Sequence, residues 1–149
     1  AIRQAKNRAT RERNGTKPTV TTYSRCRRGR RADLGGQFFR SSWEANYARV
    51  LEALKRQGTV ASWKYEAKTF WFPIRRGCVS FLPDFEVVFV DGRVEYHEVK
   101  GWMDRKSGTK LERMQRYHPR VAVKLIDSRA YRQIEKNLGR ALPHWEKSS

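Results

Sequence analysis

Cysteine is scarce in this chain: Cys26 and Cys78 are the two in 149 residues. Neither sits in a Cys-x-x-Cys pair, and His97, His118 and His144 fall at no spacing that would complete a zinc site. That excludes a zinc-finger module, and both cysteines read as free thiols in a reducing compartment. Long apolar runs are missing too. No window approaches the ~18 residues of a membrane span, and no strongly amphipathic basic helix is available to lie on a bilayer. No segment joins a charged start to an apolar run and a small-residue cleavage site. Neither a membrane nor secretion is expected, which leaves the cytoplasm as the expected location. Acids are the third shortage: 15 Asp and Glu stand against 33 Lys and Arg, a formal net charge of +18. A chain this basic repels itself unless a polyanion neutralises it, and nucleic acid is the commonest such partner. Charge alone does not separate an enzyme from a packaging or ribosomal protein.

What is present suffices for a core. Hydrophobic residues make up 38% and aromatics 12%, and the length fits one domain. Residues 1–32 stand apart, with eleven Lys or Arg, one acid and few large apolar side chains. They read as a basic arm that binds nucleic acid, with Arg27, Arg28, Arg30 and Arg31 as phosphate contacts. Residues 33–149 read as the folded domain.

Within that domain Trp43, Tyr47, Val50, Leu51 and Leu54 recur at helical spacing, which predicts a helix over 42–57 stopped by Gly58. Strand patterns follow at 60–66 and 69–73, then at 79–90 and 93–100, the last two joined at Asp91-Gly92. A polar loop is expected through Gly108, then a helix over 109–117, a buried-type strand over 121–126 and a helix opened by Ser128 and closed by Gly139. This order predicts an α/β sandwich around a mixed sheet. The tail to Ser149 carries no clear pattern.

The chemistry concentrates in Pro83-Asp84 and Glu98-Val99-Lys100. Two carboxylates on adjacent strands are the oxygen donors a hard divalent cation wants, and the Val99 carbonyl is a third. Lys100 lies two residues beyond Glu98 and leaves the same strand face. An ammonium there orients the attacking water or stabilises developing charge. The arrangement makes a demand on the hairpin. A two-residue loop at Asp91-Gly92 would set Phe85 opposite Glu98 and turn Asp84 away. A three-residue loop, Val90-Asp91-Gly92, pairs Phe89 with Arg93 and sets Asp84 across from Glu98, and it requires a left-handed residue where Gly92 stands. The expectation is therefore a bulged hairpin with Asp84, Glu98 and Lys100 on one face and Phe85, Val87, Phe89 and Val99 on the other. The plainer alternative makes Asp84 a strand opener and Glu98 and Lys100 ordinary surface residues.

Pro83-Asp84 … Glu98-Val99-Lys100 resembles the motif of the PD-(D/E)XK nuclease superfamily, and the predicted elements from Ser42 to Ile126 resemble its αβββαβ core. The resemblance covers about two thirds of the chain and leaves out the arm. It implies a restriction-endonuclease-like fold and Mg²⁺-dependent DNA hydrolysis leaving 5′-phosphates, with Mn²⁺ able to substitute. It also implies a Glu on the helix before the sheet, near the metal, and Glu44 matches. Ser41-x-x-Glu44 is equally a capping box. Metal ligation is thus expected from Asp84, Glu98, Val99 and Glu44, and catalysis from Glu44, Asp84, Glu98 and Lys100. Within the superfamily the layout is similar to phage endonuclease I and the archaeal Holliday-junction resolvases. That implies branched DNA as substrate, a homodimer, and the host cytoplasm if the chain is phage-encoded. Nicking, mismatch, transposase-type or restriction-like cleavage, and non-catalytic nucleic-acid binding, stay open. Lys106, Lys110, Arg113 and Arg116 form a further candidate DNA-binding face. Trp43, Trp63, Trp71, Trp102 and Trp145 are candidate interface residues, with core packing the expected fate of several.

Overall fold

The computed structural model describes residues 27–147, so the arm up to Cys26 and the last two residues lie outside the described part. Two short strands, β1 (Gly29–Arg31) and β2 (Gln37–Phe39), form an antiparallel ribbon around a 3₁₀ turn at Ala32–Leu34. Residues 27–32 therefore belong to the folded body, and the arm ends earlier than position 32.

Helix α1 (Ser42–Arg56) follows, with Ser41 as its N-cap accepting from the Glu44 N–H at 3.1 Å. Its C-terminus closes on Gly58 at φ 83°, a left-handed position that favours glycine, with Lys55 and Arg56 in the last turn. The chain then makes β3 (Val60–Tyr65), β4 (Phe70–Trp71), β5 (Ser80–Phe81), β6 (Phe85–Phe89) and β7 (Val94–Lys100). Helix α2 (Arg105–Tyr117), β8 (Ala122–Asp127) and helix α3 (Ser128–Leu138) complete the order. The central sheet runs β3-β6-β7-β8, antiparallel except between β7 and β8, and β4 pairs with β5 in a small sheet of its own. This is an α/β protein with three described helices and a mixed four-stranded sheet. Helix α2 supplies the crossover that a parallel pair requires.

Two expectations need correction. Residues 79–90 are not one strand: the buried Pro83 has no N–H for a ladder, so β5 and β6 fall into different sheets on either side of it. Helix α2 begins at Arg105 rather than Thr109, because Asp104 accepts from the Ser107 N–H at 2.7 Å and caps it. Gly108 consequently lies inside the helix, not in a loop. Of the five tryptophans, several go to the core as expected: Trp43 is buried and stacked on Tyr131, and Trp63 and Trp145 pack against the core, whereas Trp71 and Trp102 are exposed.

The sheet is packed on both faces. Phe85, Val87 and Val99 meet Trp43, Tyr47, Ala48 and Leu51 of α1 and Tyr131 of α3. On the other face Tyr96 meets Phe70, Phe72 and Phe81 of the small sheet and Met114 of α2. The C-terminal segment is tied back by Glu146, which accepts from Arg31, Arg49 and Ser42. Arg49 also binds Asp33, so one buried polar knot joins the β1–β2 ribbon, α1 and the tail.

The β6–β7 hairpin has the expected register. Phe85 pairs with His97 and Val87 with Glu95, and the Phe89 N–H donates to the Arg93 carbonyl at 2.8 Å. The loop is Val90-Asp91-Gly92, closed by the Gly92 N–H on the Phe89 carbonyl at 3.0 Å, with Gly92 at φ 90°. A methyl group on Gly92 would enter open space, so only backbone strain opposes a side chain there. Gly92→Ala is expected to lower the unfolding free energy by about 1–2 kcal/mol, and Gly92→Asn by less. Urea denaturation measures it, and an alanine variant as stable as the parent would contradict the turn assignment.

Candidate active site

At the open end of this hairpin the backbone ladder stops at Phe85 and His97. The next pair, Asp84 and Glu98, bonds through side chains instead. The Asp84 N–H donates to Glu98 Oε2 at 3.1 Å, and the Val99 N–H donates to Asp84 Oδ2 at 2.8 Å. Each carboxylate thereby takes the place of a missing ladder partner, and the two acids sit side by side. On an extended strand a residue's carbonyl leaves on the same side as its N–H, so the Val99 carbonyl also faces Asp84. Lys100 shares the Glu98 face of β7, and its charge, with that of Lys110 from α2, steadies the Glu98 anion.

Glu44 reaches this place from the first turn of α1. Its backbone makes half of a capping box with Ser41. Its carboxylate turns elsewhere: Oε2 accepts from the Tyr65 hydroxyl at 2.5 Å and the Arg40 N–H at 3.2 Å. Glu44 thus joins the cap through its backbone, while its carboxylate is held by Tyr65 and Arg40. Tyr47, three residues on, hydrogen-bonds His97 Nδ1 at 2.6 Å, and His97 Nε2 meets Glu95 at 3.2 Å. That buried contact fixes α1 against β7 next to Glu98. Burial lowers the His97 pKa, and neighbouring Glu95 opposes the shift.

Sequence reasoning missed Tyr65, Glu66 and Arg40. The Glu66 N–H donates to the Asp84 carbonyl at 2.8 Å, and the Glu66 carboxylate pairs with Arg40 at 3.0 Å. Glu66 has φ 50°, a left-handed conformation uncommon outside glycine. It is a fourth acid whose charge acts on Asp84. The available signal was that Tyr65-Glu66 ends a strand, but its pairing with Phe85 depends on a register set across a long connection.

The electrostatics follow from burial. Asp84 is pushed up to about 9, first by loss of water and then by repulsion from Glu98 and Glu44, against the Val99 hydrogen bond. Burial raises Glu98 to about 7 although the Asp84 N–H and Lys100 favour its anion. Glu44 is raised chiefly by burial, with the Tyr65 hydrogen bond opposing. Bringing these carboxylates together without a cation is therefore costly at neutral pH.

The donors fit a hard cation, since all are oxygens. Among the described residues no three Asp, Glu, His or Cys side chains converge closely enough to enclose an ion by themselves. Mutual repulsion of Glu44, Asp84 and Glu98 is compatible with that, because it acts over longer distances than ligation. The fit is to a cation such as Mg²⁺ that keeps several waters and takes one or two carboxylates, with phosphate oxygens completing its shell. Cavities of about 340 and 320 Å³ lie elsewhere, between α1 and the C-terminal segment and between α2 and β8. The carboxylates line neither.

The basic candidates divide. Arg27, Arg28 and Arg30 are exposed, as are Lys106 and Arg116, while Lys110 is half-buried beside the site. Arg113 is partly engaged, donating to the Cys78 carbonyl at 2.5 Å. Arg31 is a correction: it is 8% exposed and bound to Glu146, so it holds the fold instead of facing a phosphate.

Comparison with models of protein families, with curated proteins and with solved structures found no match.

An acid whose folded pKa is raised destabilises the native state as pH climbs above its unfolded value, because the unfolded chain loses its proton first. For Asp84 that window runs from its ordinary value of 3.8 up to about 9. In metal-free buffer Asp84→Asn should therefore melt at a higher temperature than the parent, by a margin that widens from pH 5 to pH 9. Thermal denaturation followed by circular dichroism measures the gap. A gap that stays constant or narrows would contradict the charge assignment.

Proposed function

We propose that this chain is a metal-dependent endonuclease acting on DNA. The observation that carries the reading is the reciprocal seating of Asp84 and Glu98, with Lys100 beside them and Glu44 arriving from α1, in a chain of net charge +18. The fold, read more finely, is the restriction-endonuclease-like core: α1, the sheet around the β6–β7 hairpin, the crossover α2 and β8 follow the expected order. The resemblance of Pro83-Asp84 … Glu98-Val99-Lys100 to the PD-(D/E)XK motif supports the same conclusion.

A bound Mg²⁺ or Mn²⁺ would acidify a water and offset charge on the pentacovalent phosphorus. Asp84, Glu98 and the Val99 carbonyl would hold it, with Glu44 at longer range. Lys100 positions the attacking water against the phosphate and stabilises charge that develops there. Tyr65 and Arg40 orient Glu44. Lys106, Lys110 and Arg116 bind flanking phosphates, and Arg27, Arg28 and Arg30 extend that basic surface toward the arm.

The described helices are separated by strands, which leaves no helix-turn-helix pair among them. Recognition by DNA shape is favoured over base reading. Branched DNA is the substrate the resemblance suggests. Cutting both strands of a junction needs two active sites at fixed separation, so that form of the reading requires a symmetric dimer.

The decisive assay offers four-way junction, flap, mismatch and linear DNA to the protein with Mg²⁺. Cleavage should leave 5′-phosphates, stop on chelation and fall at least about 10²-fold in Glu98→Gln. Absence of metal-dependent cutting on all four substrates, or an unimpaired Glu98→Gln variant, would reject the proposal.

A further inference from the structure

The nuclease reading leaves one prominent feature unused. Trp102 is 80% exposed, the most exposed of the large apolar side chains among the described residues, and Met103 beside it is 40% exposed. Both belong to the short connection between β7 and α2, two and three residues beyond Lys100. The connection is anchored at each end. β7 stays in register with β8 as far as Lys100 and Asp127, and Asp104 caps α2. Lys100 and Lys110 act on both Asp104 and Glu98, so the loop leaves and returns beside the carboxylates. Four residues of chain hold Trp102 within about 14 Å of Glu98. Its neighbours along the chain, Arg105 and Lys106, are exposed cations.

An indole kept in water at this position meets whatever the basic rim attracts. Phosphates neutralise cations and give no reason for an aromatic ring. The flat face of a base does, and every base has one. In an intact duplex the bases are stacked on each other and unavailable. At a branch, flap or mismatch a base is exposed, and apolar side chains wedge against such steps.

Resting on the nuclease reading, we propose that Trp102 is a specificity-determining residue. It stacks on an unpaired or unstacked nucleobase next to the scissile phosphate and selects distorted DNA over regular duplex. Met103 lines the same contact. Neither residue touches the reacting atoms, so the effect belongs to binding and substrate choice.

The test uses the full chain without metal, so that binding is read apart from cleavage. Two labelled probes are compared by fluorescence anisotropy: a flap with 2-aminopurine at its first unpaired position, and a linear duplex of the same sequence. Trp102→Ala should weaken flap binding by about 5- to 150-fold and leave duplex binding within about twofold. Trp102→Phe should recover most of the loss. The 2-aminopurine emission should be quenched by the parent and not by Trp102→Ala. Because the side chain is exposed, the melting temperature should not change. Equal binding of both probes by parent and variant, an equal loss on both, or unquenched 2-aminopurine with the parent would overturn the inference. If the parent cuts DNA with Mg²⁺ while Trp102→Ala behaves like it, this inference alone fails. If the parent binds neither probe, the nuclease reading fails with it.

Discussion

Asp84 and Glu98 face each other because the β6–β7 hairpin turns through three residues instead of two. Side chains alternate along a strand, so a loop one residue shorter would swing Asp84 to the opposite side of the sheet. Gly92 at φ 90° makes the longer loop possible, and the apolar partners Phe85, Val87 and Val99 hold the register by filling the core under α1. The break at Pro83 is part of the same arrangement. It frees the Asp84 backbone and side chain from the ladder, so that they bond Glu98 and Val99. One backbone conformation and one missing N–H thus determine where two charges stand.

Those charges are conspicuous because acids are few. Of 15 in the chain, Glu44, Glu66 and Glu98 gather within electrostatic reach of Asp84. Others are consumed in ion pairs, as Asp33 and Glu146 are by Arg49. The site therefore gathers acids inside a strongly positive molecule. A cation seated beside these carboxylates would favour their ionised forms.

Much of this was legible in the sequence, for local reasons. The α1 stripe, its Ser41 cap and the Asp91-Gly92 turn are short-range signals, and the demand that Asp84 meet Glu98 fixed the loop length. The structure departs from expectation where a distant partner decides. Arg31 looked like part of a DNA-binding arm, but Glu146, 115 residues away, draws it into the body. Tyr65 and Glu66 enter the site through the β3–β6 register, which no short motif encodes. The early start of α2 was hidden by Gly108, a poor helix former outweighed by the Asp104 cap and the packing of Met114. Pro83 divides one apolar run between two sheets, because it has no N–H to offer a ladder.

The most direct test of the central claim is a crystal of the protein equilibrated with Mn²⁺ and read by anomalous scattering. The account predicts a peak bonded to one oxygen each of Asp84 and Glu98, at about 2.1 Å, with Lys100 on the same side. Saturating Mn²⁺ with no peak between those carboxylates, or Asp84 and Glu98 turned to opposite faces of the sheet, would contradict it.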